Sequence, residues 1–153
     1  MSSIDSFTRE FEIVETFKET GQKKVCLCRH PKLGKVVLKT GKSASAQRVK
    51  RAKREIEVQK SLDSPFYPKI FDFRIFENFQ FAIVEEYIKS QSLSCCPGMF
   101  QKPLEILNLL NSLVTGLELL WNAKIVHRDL KPDNILIRKD SSPVIIDLGI
   151  VLA

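Results

Sequence analysis

The chain has 153 residues, 44 % of them hydrophobic and 27 % charged, the composition of a folded domain with a real core rather than of a disordered chain. No uninterrupted apolar run approaches the ~20 residues of a membrane span, and Met1-Ser2-Ser3-Ile4-Asp5 lacks the basic start and apolar stretch of a secretion signal. The net charge of +6 is uneven, with 15 basic and 7 acidic side chains in residues 1–60 and 9 and 11 in the remainder.

Phe11 to Phe17 predicts a first strand and Val25-Cys26-Leu27-Cys28 a second, with Cys26 and Cys28 packing on one face as small apolar residues. The four cysteines, 26, 28, 95 and 96, lack C-x-x-C spacing, which argues against a disulfide framework or a zinc site. A turn through His30 to Gly34 leads to a third strand, Val36-Val37-Leu38-Lys39. Ser45 suits a helix N-cap, and the helix runs to about Leu62, before Asp63-Ser64-Pro65. Its basic run Arg48 to Arg54 reads as a solvated face; with no aromatic residue interleaved it argues against nucleic acid as a partner. Ile70–Phe76 and Phe79–Glu85 form two more strands joined at Glu77-Asn78.

Tyr87 to Lys102 is an irregular connector. Pro103 opens a helix that ends near Asn122, and the spacing of Leu107, Leu110, Val114, Leu117 and Trp121 predicts the stripe it buries. Ile125-Val126 is expected to be a short strand. Ile135–Ile137 and Val144–Ile146 form a last hairpin.

The stretch His127-Arg128-Asp129-Leu130-Lys131-Pro132-Asp133-Asn134 places an acid, cations and an amide within eight residues, and Asp147 follows thirteen positions after Asn134. A catalytic aspartate, a nearby amide and a second carboxylate after a following strand suit phosphoryl transfer from Mg-ATP. This motif, its spacing to Asp147 and the strand order resemble the eukaryotic-like protein kinase family, serine/threonine branch, from about Phe11 to Ala153.

The resemblance implies an α+β, protein-kinase-like fold: a small lobe, 1–88, of five antiparallel strands and one helix, and a partial, mainly helical large lobe, 89–153. It implies ATP and Mg²⁺ as cofactors and a protein serine or threonine hydroxyl as acceptor. Asp129 matches the catalytic aspartate and Lys131 the cation near the transferred phosphoryl group. Asn134 and Asp147 match the magnesium ligands. Lys39 matches the lysine on the α- and β-phosphates, with Glu55 as its ion-pair partner. Glu86 and Ile88 match the hinge that meets the adenine edge, and Val25, Val37 and Leu136 the apolar walls around the ring. Cytoplasmic location is expected, with a nuclear address as the other reading of the basic run.

The sequence also departs from the family. Across Lys18 to Lys24, only Gly21 falls where the glycine-rich loop commonly has Gly, and such glycines let backbone N–H groups approach phosphates. Val37 replaces an alanine, Gln59 an apolar residue of the regulatory stack and Leu148 a phenylalanine. Glu85 takes the gating position behind adenine. Only four residues follow Gly149, so the activation segment and later helices of the family pattern are absent from these 153 residues. The expectation is a chain that associates with itself or is completed by another chain. Two rivals stay open: a catalytically inactive kinase-like binding module and a small-molecule phosphotransferase, the latter opposed by Arg128 and Lys131.

Overall fold

The computed structural model describes residues 3–96 and 98–148; Gly149, named above, lies outside them, as does Pro97 of the connector. The chain divides into two compact units, one holding the described residues up to Lys60 with Lys69–Tyr87, the other Ser61–Pro68 with the described residues from Ile88 onward.

The first unit opens with a short helix α1 (Ile4–Thr8), capped by Ser3, which accepts the Ser6 N–H. Five strands follow: β1 (Glu12–Glu19), β2 (Lys23–His30), β3 (Gly34–Lys42), β4 (Ile70–Ile75) and β5 (Gln80–Glu86). They form one antiparallel sheet in the order β1-β2-β3-β5-β4, the five strands expected. Successive side chains of a strand point to opposite faces, so the sheet has two apolar layers. Phe11, Cys26, Cys28, Val36, Leu38, Ala82 and Val84 make one, with Phe7 and Phe76 packed on it. The predicted role of Cys26 and Cys28 holds.

The other face receives α2 (Ala46–Ser61). Ser45 accepts the Arg48 N–H at 3.4 Å, as a capping serine does. Buried Val49, Ala52, Glu55, Ile56 and Gln59 recur at the spacing of one helix face. Ala52 and Ile56 pack with Ile70, Phe81 and Ile83; burying Ile56 or Phe81 contributes roughly 1.5–3 kcal/mol each. The cationic residues Arg48, Lys50, Arg51, Lys53 and Arg54 are exposed, as expected of a solvated face. The β4–β5 link turns through Asn78 and Phe79, both at positive φ.

The second unit contains β6 (Gln91–Ser92), α3 (Pro103–Asn122), β7 (Ile135–Ile137) and β8 (Pro143–Ile145), the strands forming a three-stranded sheet β6-β7-β8. The predicted hairpin is β7–β8. Pro103 opens α3, and the Glu105 carboxylate accepts the N–H groups of Gln101 and Lys102, half of a capping box. The stripe read from the sequence is corrected. Leu107, Leu110, Val114 and Trp121 are 62, 51, 46 and 51 % exposed, and the buried residues are Leu109, Leu113, Gly116 and Leu120. A helix apolar on nearly every side satisfies 3–4 spacing in more than one register. Gly116 selects this one, because a Cβ there would stand 3.1 Å from Phe66 and 3.3 Å from Ile145. Tyr67 adds a hydrogen bond to the Gly116 carbonyl at 2.7 Å, and Ile145 N–H bonds Phe66 O at 2.7 Å.

One further expectation is corrected. Ile125-Val126 is not a strand: Lys124 takes a left-handed turn (φ 59°) and Ile125 N–H returns to the Leu120 carbonyl, which closes the helix end. By length and composition alone α3 is long and apolar enough to cross a membrane, with 20 residues and a mean hydropathy of 1.2. A core helix of a folded unit meets the same criteria, and α3 buries one face on Phe66 and Ile145.

Candidate functional site

The candidate residues fall into two groups, one in each unit. In the first unit, register places Val25 opposite Lys39, Val37 opposite Glu85, and Lys39 opposite Ile83. Directly opposed residues share a face, so Val25, Val37, Lys39 and Glu85 lie together on the side of the sheet that also carries α2. Lys39 and Glu85 are buried there, and Val25 and Val37 are half-buried. The Lys39 ammonium donates to Glu85 Oε1 at 2.9 Å, with the side chains 8 and 7 % exposed. Sequence reasoning placed Glu85 beside the site but missed this contact. Glu55, the partner expected for Lys39, is buried on α2, and its carboxylate meets Arg51 Nε at 3.5 Å.

Glu86 ends β5, its N–H donating to the Lys69 carbonyl and its carboxylate accepting the Lys69 N–H. Gly21 lies in the β1–β2 turn, which Thr20 closes by backbone and side-chain bonds to Lys23. The turn borders an open cleft of about 480 Å³ shared with Lys42, Ser43 and Phe79. A Cβ on Gly21 would meet no atom within 4 Å.

In the second unit, Ile88 is buried and Leu136 half-buried on β7. His127 is buried, and its Nδ1 accepts the Asp129 N–H at 3.2 Å. A carbonyl oxygen can only accept, so Nε2–H donates to the Ile146 carbonyl at 2.8 Å. Arg128 adopts positive φ (69°), which costs a non-glycine residue roughly 1–2 kcal/mol. Asp129 faces solvent, its carboxylate 3.6 Å from Lys131 Nζ.

Asn134, buried at the end of a 3-10 turn over Pro132–Asn134, donates from Nδ2 to both the Asp129 carbonyl (2.9 Å) and its carboxylate (3.1 Å). Both contacts are to oxygens, so the amide must present nitrogen to them, which leaves Oδ1 as an acceptor. Asn134 O in turn accepts the Ile146 N–H at 3.0 Å. The backbone of Ile146 is therefore gripped from both sides by the loop, one residue before Asp147. Asp147 itself has φ 52° and is half-buried, and Leu148 is buried. Asp129, Lys131 and Asn134 thus form one contiguous cluster. Among the described residues no set of three His, Cys, Asp or Glu converges as a metal site. An amide oxygen on Asn134 and a carboxylate on Asp147 are hard oxygen donors that suit Mg²⁺, which keeps waters and phosphate oxygens in its shell.

A family model described as "Protein kinase domain" matches residues 19–153. The chain is 36 % identical over 85 residues to "Serine/threonine-protein kinase D" of Synechocystis sp., covering 55 % of this chain and 16 % of that protein. It is 33 % identical over 99 residues to "Mitogen-activated protein kinase kinase 8" of Arabidopsis thaliana, covering 63 % and 31 %. It therefore spans less than a third of the length of these curated relatives. The crystal structure of the Mycobacterium tuberculosis PknI kinase domain, in a cysteine-to-alanine mutant form, superposes with a TM-score of 0.76 at 21 % identity, over 94 % of this chain and 60 % of that one.

Proposed function

We propose, from the premise that this chain belongs to the protein kinase family, that it binds Mg-ATP and carries the residues that transfer its γ-phosphate to a serine or threonine hydroxyl of a protein. The observation that carries this is the cluster in which Asn134 holds Asp129 by carbonyl and carboxylate while Lys131 stands 3.6 Å away. It keeps the proton-accepting carboxylate exposed and oriented.

Asp129 takes the proton of the acceptor hydroxyl as that oxygen bonds to the γ-phosphorus and the bond to the β-phosphate oxygen breaks. Lys131 offsets negative charge on the moving phosphoryl group. Asn134 and Asp147 would hold a magnesium ion, which would shield the phosphates and offset the charge that develops on them. Lys39 takes the α- and β-phosphates, Val25, Val37 and Leu136 flank the base, and Glu86 and Ile88 offer it backbone groups. A second reading, a kinase-like module that binds without transferring phosphate, is favoured by the β1–β2 turn, where Gly21 is the sole glycine between Lys18 and Lys24.

Melting with and without Mg-ATP, followed by transfer of labelled phosphate to dephosphorylated casein, tests the proposal. ATP at 100 times its Kd stabilises a binder by about 2.7 kcal/mol, a shift of roughly 5–10 °C at about 2–4 °C per kcal/mol. Asp129→Asn is expected to keep the shift and lose the transfer. No shift refutes the nucleotide reading. A shift with no transfer in the unaltered chain supports the binding module.

A further inference from the structure

The ion pair between Lys39 and Glu85 joins two adjacent strands of the sheet and sits in its interior. Val37 is opposite Glu85 and Lys39 opposite Ile83, so the two side chains meet on the diagonal. Nζ and Oε1 are 2.9 Å apart and the side chains are 8 and 7 % exposed. Glu85 immediately precedes Glu86, and Val37 and Val25 stand beside the pair. The lysine proposed to meet nucleotide phosphates is thus bonded to an anion of the protein's own, fixed on the central strand pair.

We propose that Glu85 is a specificity-determining residue that acts against phosphate: its carboxylate competes with nucleotide phosphates for Lys39 and repels them, which lowers affinity for polyphosphate nucleotides relative to the unphosphorylated nucleoside. This rests on the nucleotide-binding reading above. Both effects have the same sign. A charge-assisted hydrogen bond at 2.9 Å in a site shielded from water is strong, and a phosphate oxygen gains Lys39 only by sharing or displacing it. A carboxylate beside the incoming phosphates adds like-charge repulsion. Neither effect depends on what else Lys39 touches, because removing one negative charge beside the ammonium raises its attraction for phosphate in any case. Adenosine carries no phosphate and feels neither.

Calorimetric titration of the full chain with Mg-ATP, Mg-ADP and adenosine tests this, comparing unaltered protein with Glu85→Gln, which keeps shape and removes charge. The expected result is at least tenfold tighter Mg-ATP and Mg-ADP binding, with adenosine affinity within twofold. Glu85→Met provides a second charge-free variant if glutamine is poorly tolerated there. In a Lys39→Met background the Glu85→Gln gain is expected to shrink severalfold, since the contested cation is gone. Unchanged or weaker Mg-ATP binding in Glu85→Gln overturns the proposal, weaker binding meaning that Glu85 positions Lys39 for phosphate instead. An equal gain for adenosine also overturns it. If the unaltered chain and both Glu85 variants bind none of the three ligands, the nucleotide reading itself falls, an outcome distinct from binding that ignores Glu85.

Discussion

The buried imidazole of His127 accepts the backbone N–H of Asp129 at 3.2 Å and spans from there to the carbonyl of Ile146. One side chain therefore sets the position of the proposed proton acceptor relative to the segment that leads into Asp147. His127→Ala leaves a main-chain donor and a main-chain acceptor without that partner, which costs about 1–3 kcal/mol. Urea denaturation is expected to show that loss. Phosphate transfer should fall more than the Mg-ATP melting shift does, because the substitution loosens Asp129 rather than the nucleotide residues of the first unit.

Tyr67 reaches Gly116, 49 residues away, through a 2.7 Å hydrogen bond, and is 2 % exposed. Tyr67→Phe keeps the ring and removes the bond, an expected loss of about 1 kcal/mol. Tyr67→Ala empties the ring site between the 61–68 segment and α3, and the expected loss rises to about 3–5 kcal/mol. Equal losses for the two variants in chemical denaturation contradict this division of labour between ring and hydroxyl.

Burial pushes the Cys28 thiol up from 9.0 to about 11, with the neighbouring Cys26 adding to the shift. The folded state therefore favours the protonated thiol. The resulting stability is fully present below pH 9 and is lost as pH rises through about 11. At about 1.4 kcal/mol per pKa unit the loss is about 2–3 kcal/mol. Tyr67, also pushed up by burial, adds a loss of the same sign above pH 10. Unfolding free energies at pH 8 and pH 10.5 should differ in this direction, and Cys28→Ala should flatten the slope. A stability that rises over this interval contradicts the assignment.

Gly41 and Gly21 give opposite expectations. A Cβ on Gly41 would lie 2.5 Å from the Gln22 carbonyl and 2.7 Å from the Phe81 ring. Gly41→Ala is therefore expected to lose about 1–3 kcal/mol by overpacking. Gly21→Ala meets open space, and its melting temperature should match the parent. Its Mg-ATP affinity should nevertheless drop, because a methyl group on the turn holds back the backbone N–H groups from phosphate. Unaltered affinity removes Gly21 from the nucleotide site.

The chemistry-bearing residues were legible where function demands particular side chains at short, fixed spacing. Asp129, Lys131 and Asn134 lie within six positions, and their mutual contacts follow from one tight loop. The five strands were legible because β-branched and aromatic runs ended at strong turn signals such as Glu77-Asn78. The face that α3 buries was not, since its apolar residues fit several helical registers and the choice depends on where Phe66 arrives. The pairing of Gln91 and Ser92 with β7 was equally hidden, as two residues have no period. The contact of Glu85 with Lys39 crosses 46 positions and exists only once β3 and β5 are in register.

The outermost strand β1 has a last consequence. Ile13, Val14 and Phe17 are each about half exposed on a free sheet edge, the kind of surface that recruits strands from other chains into aggregates. Two breaks in register, between Ile13 and Glu15 and between Thr16 and Lys18, fall within its eight residues. Breaks of this kind bend a strand and raise its twist, which shortens the straight run of backbone groups onto which an incoming segment could zip. The irregularity works against the growth of that sticky margin into a fibril.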